Sequence, residues 1–292
     1  MNLGRAKSIL IIAFAGLNLF LGYHLFWPDF GRLTKVAVTA EELRATEALL
    51  EDNNYFLDAA LDRSVRASDF LTVSPALDFQ GRLLQYFIEK GAWVSDSENT
   101  TNFQTERETI IIHSNGLMRV VYNPGVLLAE NAINLDEREL RALIKAFLEN
   151  EKLMPEGITF DYMERSEEGR MIFHHYQLLG NIPIYASQLK VVVESDHIEL
   201  IEIFWLEPVE RIPAREMEVI SATQALNNLV HELGPSFDQQ GIDQVELGYF
   251  SGEYDAEKWE VPPVWRVTLD GKKHYYINAF TGNIEQDSVI LD

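Results

Sequence analysis

No cysteine occurs anywhere in the 292 residues, which removes disulfides, thiolate metal ligands, cysteine nucleophiles and lipid attachment through a lipobox cysteine together. Positive charge is scarce as well: 24 basic residues stand against 46 acidic ones, for a formal net charge of -22. A surface this negative repels phosphate backbones and anionic headgroups, so nucleic-acid binding and peripheral docking on acidic lipid are disfavoured. The local signatures of common chemistry are also missing. The chain has no G-x-S-x-G, H-E-x-x-H, P-loop, Gly-rich dinucleotide fingerprint or EF-hand loop, and no catalytic, cofactor-binding or metal-binding residue is assigned.

Three weaker cues have ordinary structural explanations. His174 and His175 are adjacent, but on a strand they point to opposite faces and cannot grip one ion, so a structural role is expected. Glu253, Asp255 and Glu257 alternate without the turn glycine of a calcium loop and read as a solvated face. Carboxylate pairs for glycoside hydrolysis are distant in sequence, and nothing singles out one pair among the many acids.

What is present begins with an anchor. Residues 8–27 read SILIIAFAGLNLFLGYHLFW without a formal charge, and a helix of that length spans roughly 30 Å, the thickness of a bilayer core. Arg5 and Lys7 precede it and Asp29 follows, so the positive-inside bias places residues 1–7 in the cytoplasm and everything after Trp27 outside. The expected product is a single-pass cell-membrane protein with an extracytoplasmic domain. A cleaved signal peptide is the competitor, but Ala13-Phe14-Ala15 sits mid-stretch and the far end, Leu25-Phe26-Trp27-Pro28, offers no small residues for cleavage. Ala15, Asn18 and Gly22 fall on one helical stripe suited to a partner helix, with Asn18 bonding either across that interface or to its own helix.

Beyond the anchor the 47% hydrophobic content is enough for a real core. Residues 28–130 form a first extracytoplasmic subdomain. In it a capping box of Thr39 with Glu42 opens a helix to about Asn53, a second helix covers about Asp78 to Lys90, and Ser114-Asn115-Gly116 turns a hairpin. Residues 131–210 and 211–292 repeat one order of elements. Asp136 with Glu139, and Ser221 with Gln224, each cap a helix followed by a meander of about four antiparallel strands. A helix laid on one sheet face buries both apolar sides, so the fold class is α+β, built of two helix-on-antiparallel-sheet units.

The opening Lys7-Ser8-Ile9-Leu10-Ile11-Ile12-Ala13-Phe14, continuing through Leu17-Asn18-Leu19-Phe20-Leu21-Gly22, resembles the YycI family of regulators of the YycFG (WalRK) two-component system. So do His175-Tyr176-Gln177 with Ile182-Pro183-Ile184-Tyr185, and Tyr276-Ile277-Asn278-Ala279-Phe280-Thr281-Gly282. The last segment, after Pro263-Val264-Trp265-Arg266-Val267, is also similar to the PepSY-type ending of a strand, a tight glycine turn and a strand. The resemblance implies a non-enzymatic partner of a YycG-type sensor histidine kinase. It would work with a YycH-like protein through membrane-helix and extracytoplasmic contacts to modulate cell-wall metabolism, with Ala15, Asn18 and Gly22 facing the kinase and a homodimer left open. The alternatives are a tethered extracytoplasmic enzyme and a PepSY-type protease-inhibitory domain.

Overall fold

Three of the helices start where the sequence supplies a reciprocal cap. In α1 (Ala40–Asp52) the Thr39 hydroxyl accepts the Glu42 amide at 3.1 Å while the Glu42 carboxylate accepts the Thr39 amide at 2.7 Å. α2 (Leu77–Glu89) begins without a side-chain cap and is held instead by Phe79, Leu83 and Phe87, which are buried one or two turns apart. α3 (Glu137–Asn150) and α4 (Ala222–Leu233) repeat the capping box with Asp136 and Glu139, and with Ser221 and Gln224. Each box satisfies two backbone donors that a helix start otherwise leaves free. The structure is a computed structural model, and it describes residues 14, 38–63, 68–96, 100–166, 169–212, 219–252 and 256–285.

The strands run, in chain order, β1 Tyr55–Leu57, β2 Phe70–Pro75, β3 Trp93–Asp96, β4 Thr100–Gln104, β5 Glu108–His113, β6 Met118–Leu127, β7 Ile158–Arg165 and β8 Met171–Leu179. They continue with β9 Ile182–Glu194, β10 His197–Phe204, β11 Leu206–Ile212, β12 Gln240–Tyr249, β13 Trp259–Val261, β14 Pro263–Leu269, β15 Lys273–Asn278 and β16 Ile284–Glu285. One 13-stranded sheet follows the order β16-β15-β14-β12-β9-β10-β6-β5-β4-β3, with β1 beside β12 and the β7–β8 pair attached to β9. A three-stranded sheet holds β11, β2 and β13. β7 to β10 pair in succession as an antiparallel meander. β12, β14, β15 and β16 do the same, with β13 diverted to the small sheet. The two meanders join where Ile184 of β9 pairs in parallel with Tyr249 of β12.

Two helix-covered cores result. α2 and α3 place Phe79, Leu83, Phe87, Leu140, Ile144 and Leu148 against Met171, Phe173, Leu189 and Val191. α1 and α4 place Leu50, Ala225, Leu226 and Leu229 against Val245, Trp265, Val267 and Ile277. The N-terminal stretch is thus divided: α1 and β1 lie with the second core, α2 to β6 with the first. Each helix buries only its apolar stripe, because a helix lying on a sheet can offer one side.

The mixed α+β class is as the sequence predicts, and the structure departs from the expected elements in detail. The last strand of the first meander, β10, stops at Phe204, and after Trp205 the chain leaves for the small sheet as β11 instead of ending the unit. Strands β1, β2, β3, β4, β11 and β13 have no counterpart among the expected elements. Among the described residues no helix is long and apolar enough to cross a membrane. The apolar stretch 8–27, Phe14 apart, lies outside the described residues, and with it Ala15, Asn18 and Gly22, as do Glu253 and Asp255.

Candidate functional site

The strands that carry these cores have a second face, and there the chemistry changes. In β14 the side chains of Trp265 and Val267 enter the core beneath α4, so the alternation of a strand turns Arg266 the other way. Arg266 is 1% exposed. Its Nη1 donates to both oxygens of Asp161 at 2.8 and 2.7 Å, and its Nη2 donates to Gln244 Oε1 at 3.0 Å. The guanidinium carbon lies 4.1 Å from the centre of the Tyr185 ring and 5.3 Å from that of Tyr176. Burial alone would weaken the proton affinity of Arg266, but Tyr185 and Asp161 more than offset it and the net shift is upward, so it is a permanent cation.

Local irregularities of the strands aim these groups. β7 and β8 pair Phe160 with His175 and then Met163 with Phe173, so Asp161 and Tyr162 together stand opposite His174. The extra residue is a β-bulge, and it lets two neighbouring side chains join the polar face. β9 shows a larger irregularity between its pairings at Ile184 and Gln188, which frees Tyr185 to reach Glu246 of β12 through its hydroxyl at 3.2 Å. Gly248 is required beside it: a Cβ there would sit 2.6 Å from the Tyr185 ring and 2.7 Å from the Pro183 carbonyl. Phe250 and Tyr276 stack at 3.8 Å to close that end.

At the other end Tyr162 is flanked by two imidazoles. His174 stacks on its ring at 4.3 Å with 4° between planes, and His274 of β15 meets it edge-on at 4.7 Å. His174 Nε2 is 3.0 Å from Glu164 Oε1, and His274 Nδ1 is 3.0 Å from the Thr268 hydroxyl. Burial is the main cause holding His174 down to about 3 and His274 to about 4, with Lys190 adding to the first effect and Arg266 to the second. Both rings are therefore neutral near pH 7. Burial likewise raises the Tyr162 phenol.

Asp161, Tyr162, His174, Tyr176 and Tyr185 come from the first meander and Gln244, Glu246, Arg266, His274 and Tyr276 from the second, so the cluster is a seam between them. Its geometry is that of a fastening. Both oxygens of Asp161 are engaged by a permanent cation, which opposes its use as a base. The opposite orientation expected of His174 and His175 is what the structure shows: His175 leaves the seam, lies 5.6 Å from Phe160, and has Nδ1 3.4 Å from the Leu189 carbonyl.

Neither motif nor spacing marks Asp161 or His274 as site residues. A signal was present for Arg266, a lone cation inside the run Pro263-Val264-Trp265-Arg266-Val267-Thr268-Leu269. Such a run reads as a strand buried on both faces, and a buried cation requires a carboxylate. Its partner 105 residues away has no comparable mark. Elsewhere, an open cleft of about 460 Å³ is lined by Asn228, His231, Glu232, Gly282, Asn283 and Ile284.

Comparison with known proteins gives three findings. A family model described as YycI protein matches residues 36–280. No curated protein matches the chain. Among solved structures, the crystal structure of an uncharacterized protein from Eubacterium rectale ATCC 33656 is similar at 12% identity with a TM-score of 0.48, covering 86% of this chain and 99% of that one. At that degree of superposition the likeness carries no argument.

Proposed function

The chain belongs to the YycI family, a family of regulators associated with the YycFG system, and on that premise we propose that it is a non-enzymatic partner of a YycG-type sensor histidine kinase. In this reading residues 8–27 span the cell membrane once, with residues 1–7 inside and the domain from residue 28 onward outside. Ala15, Asn18 and Gly22 face the kinase helix, and the exterior works beside a YycH-like protein. The observation that carries the proposal is the family match over residues 36–280, which covers the first helix-and-meander unit and the second as far as β15. The charge pattern around the apolar stretch supports the topology, and the small-residue stripe supports helix contact, since small side chains let two backbones approach closely.

A tethered enzyme is the less favoured reading, because both oxygens of Asp161 are held by Arg266. The test is co-purification of the full chain from membranes followed by mass spectrometry. A sensor histidine kinase is expected among the captured proteins, and Asn18→Leu with Gly22→Leu should reduce its recovery severalfold. Recovery unchanged by both substitutions would remove the stripe from the account, and absence of any kinase would remove the proposal.

A further inference from the structure

We propose that the seam is a proton-operated latch: when His174 and His274 take up protons, the positive charge added around Tyr162 parts β7 and β8 from β14 and β15. The latch goes beyond kinase association, and its test does not depend on that association.

The geometry sets the conditions. Tyr162 of the first meander is held between an imidazole of its own meander and one of the other, so its contact with His274 is also a contact between the two halves. Arg266 with Asp161 fixes the same two halves a short way along. The groups facing His174 are Glu164 and Tyr162 from β7, Lys190 from β9, His175 from β8 and His274 from β15. Those facing His274 are Arg266 and Thr268 from β14 with Asp161 and Tyr162 from β7. The positive charge of Lys190 and Arg266 opposes a proton on either ring. Glu164 attracts one, but its side chain is half exposed at 48% and screened by solvent. Asp161 is already committed to Arg266. His274 Nε2 is buried without a hydrogen-bond partner, and the acceptor beside His174 Nε2 is the half-exposed Glu164 alone, so no buried acceptor waits for a second proton on either ring.

The direction follows from linkage. An exposed imidazole titrates near its ordinary value of 6.5, whereas the closed seam holds these two at about 3 and about 4. Above pH 6.5 the rings are neutral in both forms and closure has its full strength. As pH falls from 6.5 toward 4 the open form takes protons that the closed form refuses, and each histidine favours opening by about tenfold per pH unit. His175, also held at about 4 and facing Arg141 and Asp161, lies on the other face of β8 and loads the core beneath α3 instead.

The test is hydrogen exchange by mass spectrometry on the full chain in detergent micelles between pH 7 and pH 4.5, with rates corrected for intrinsic pH dependence. Peptides from β7, β8 and β15 should lose protection at least tenfold more than those from the β5–β6 hairpin. In the variant combining His174→Phe with His274→Gln the excess loss should vanish. Equal loss in all peptides, or the same excess loss in the variant, would overturn the latch. Should the variant fail to fold, imidazole proton resonances of the wild-type chain decide: two rings still neutral at pH 5 support it, and two titrating near 6.5 refute it.

Discussion

Strand β8 takes part in two regions that hold by different means. Phe173 enters the apolar core beneath α3, and the next residue, His174, enters the seam against Tyr162 and Glu164. On the core side the force is removal of apolar surface from water, which is non-directional and tolerates exchange of one aliphatic side chain for another. On the seam side it depends on a cation, a carboxylate and rings in fixed positions, where losing one member leaves another buried and unpaired. The lesson is that the cores make each half, whereas the seam decides how the halves meet.

Substitutions can sharpen that contrast. The largest effect is expected from Arg266→Met, which strands Asp161 beside the aromatic cluster and should destabilise the chain by about 3–5 kcal/mol in urea unfolding. Adding Asp161→Asn to it should return part of the loss, since a neutral amide tolerates the site better than an unpaired carboxylate. Strict additivity in that cycle would mean the pair is not coupled. Ile144→Ala in α3, 1% exposed and packed in the apolar core, should cost about 2–5 kcal/mol. That loss should follow cavity size, and no second substitution elsewhere should rescue it. Ser221→Ala removes the cap of α4 and should cost only about 1 kcal/mol, visible as faster exchange confined to the first turn of that helix.

The parts of the fold that were legible are those decided within a few residues. The caps at Thr39, Asp136 and Ser221 are i to i+3 interactions, and the turn at Asn115-Gly116 places Gly116 at φ 91, as the dipeptide predicts. Helix faces in α3 and α4 show in the spacing of their leucines and alanines. The three short strands β1, β2 and β13 were not legible, because their pairing comes from distant segments: Leu71 of β2, for example, pairs with Val261 of β13 and Arg211 of β11. Nor does propensity mark Trp205 as the point where one sheet gives way to another. The candidate site was legible only by halves. Adjacent histidines showed that one of them must face away from the core, but the bulge at Asp161 and Tyr162 and the arrival of Arg266 and His274 are products of tertiary packing.

The claim on which the functional account rests is that this chain acts on a kinase by contact. The direct measurement is the autophosphorylation rate of the co-purified kinase in proteoliposomes, alone, with the full chain, and with a chain whose residues 8–27 are replaced by an unrelated apolar helix. The account predicts a severalfold change in rate with the natural chain and its loss with the exchanged helix. A kinase rate indifferent to all three conditions would contradict it.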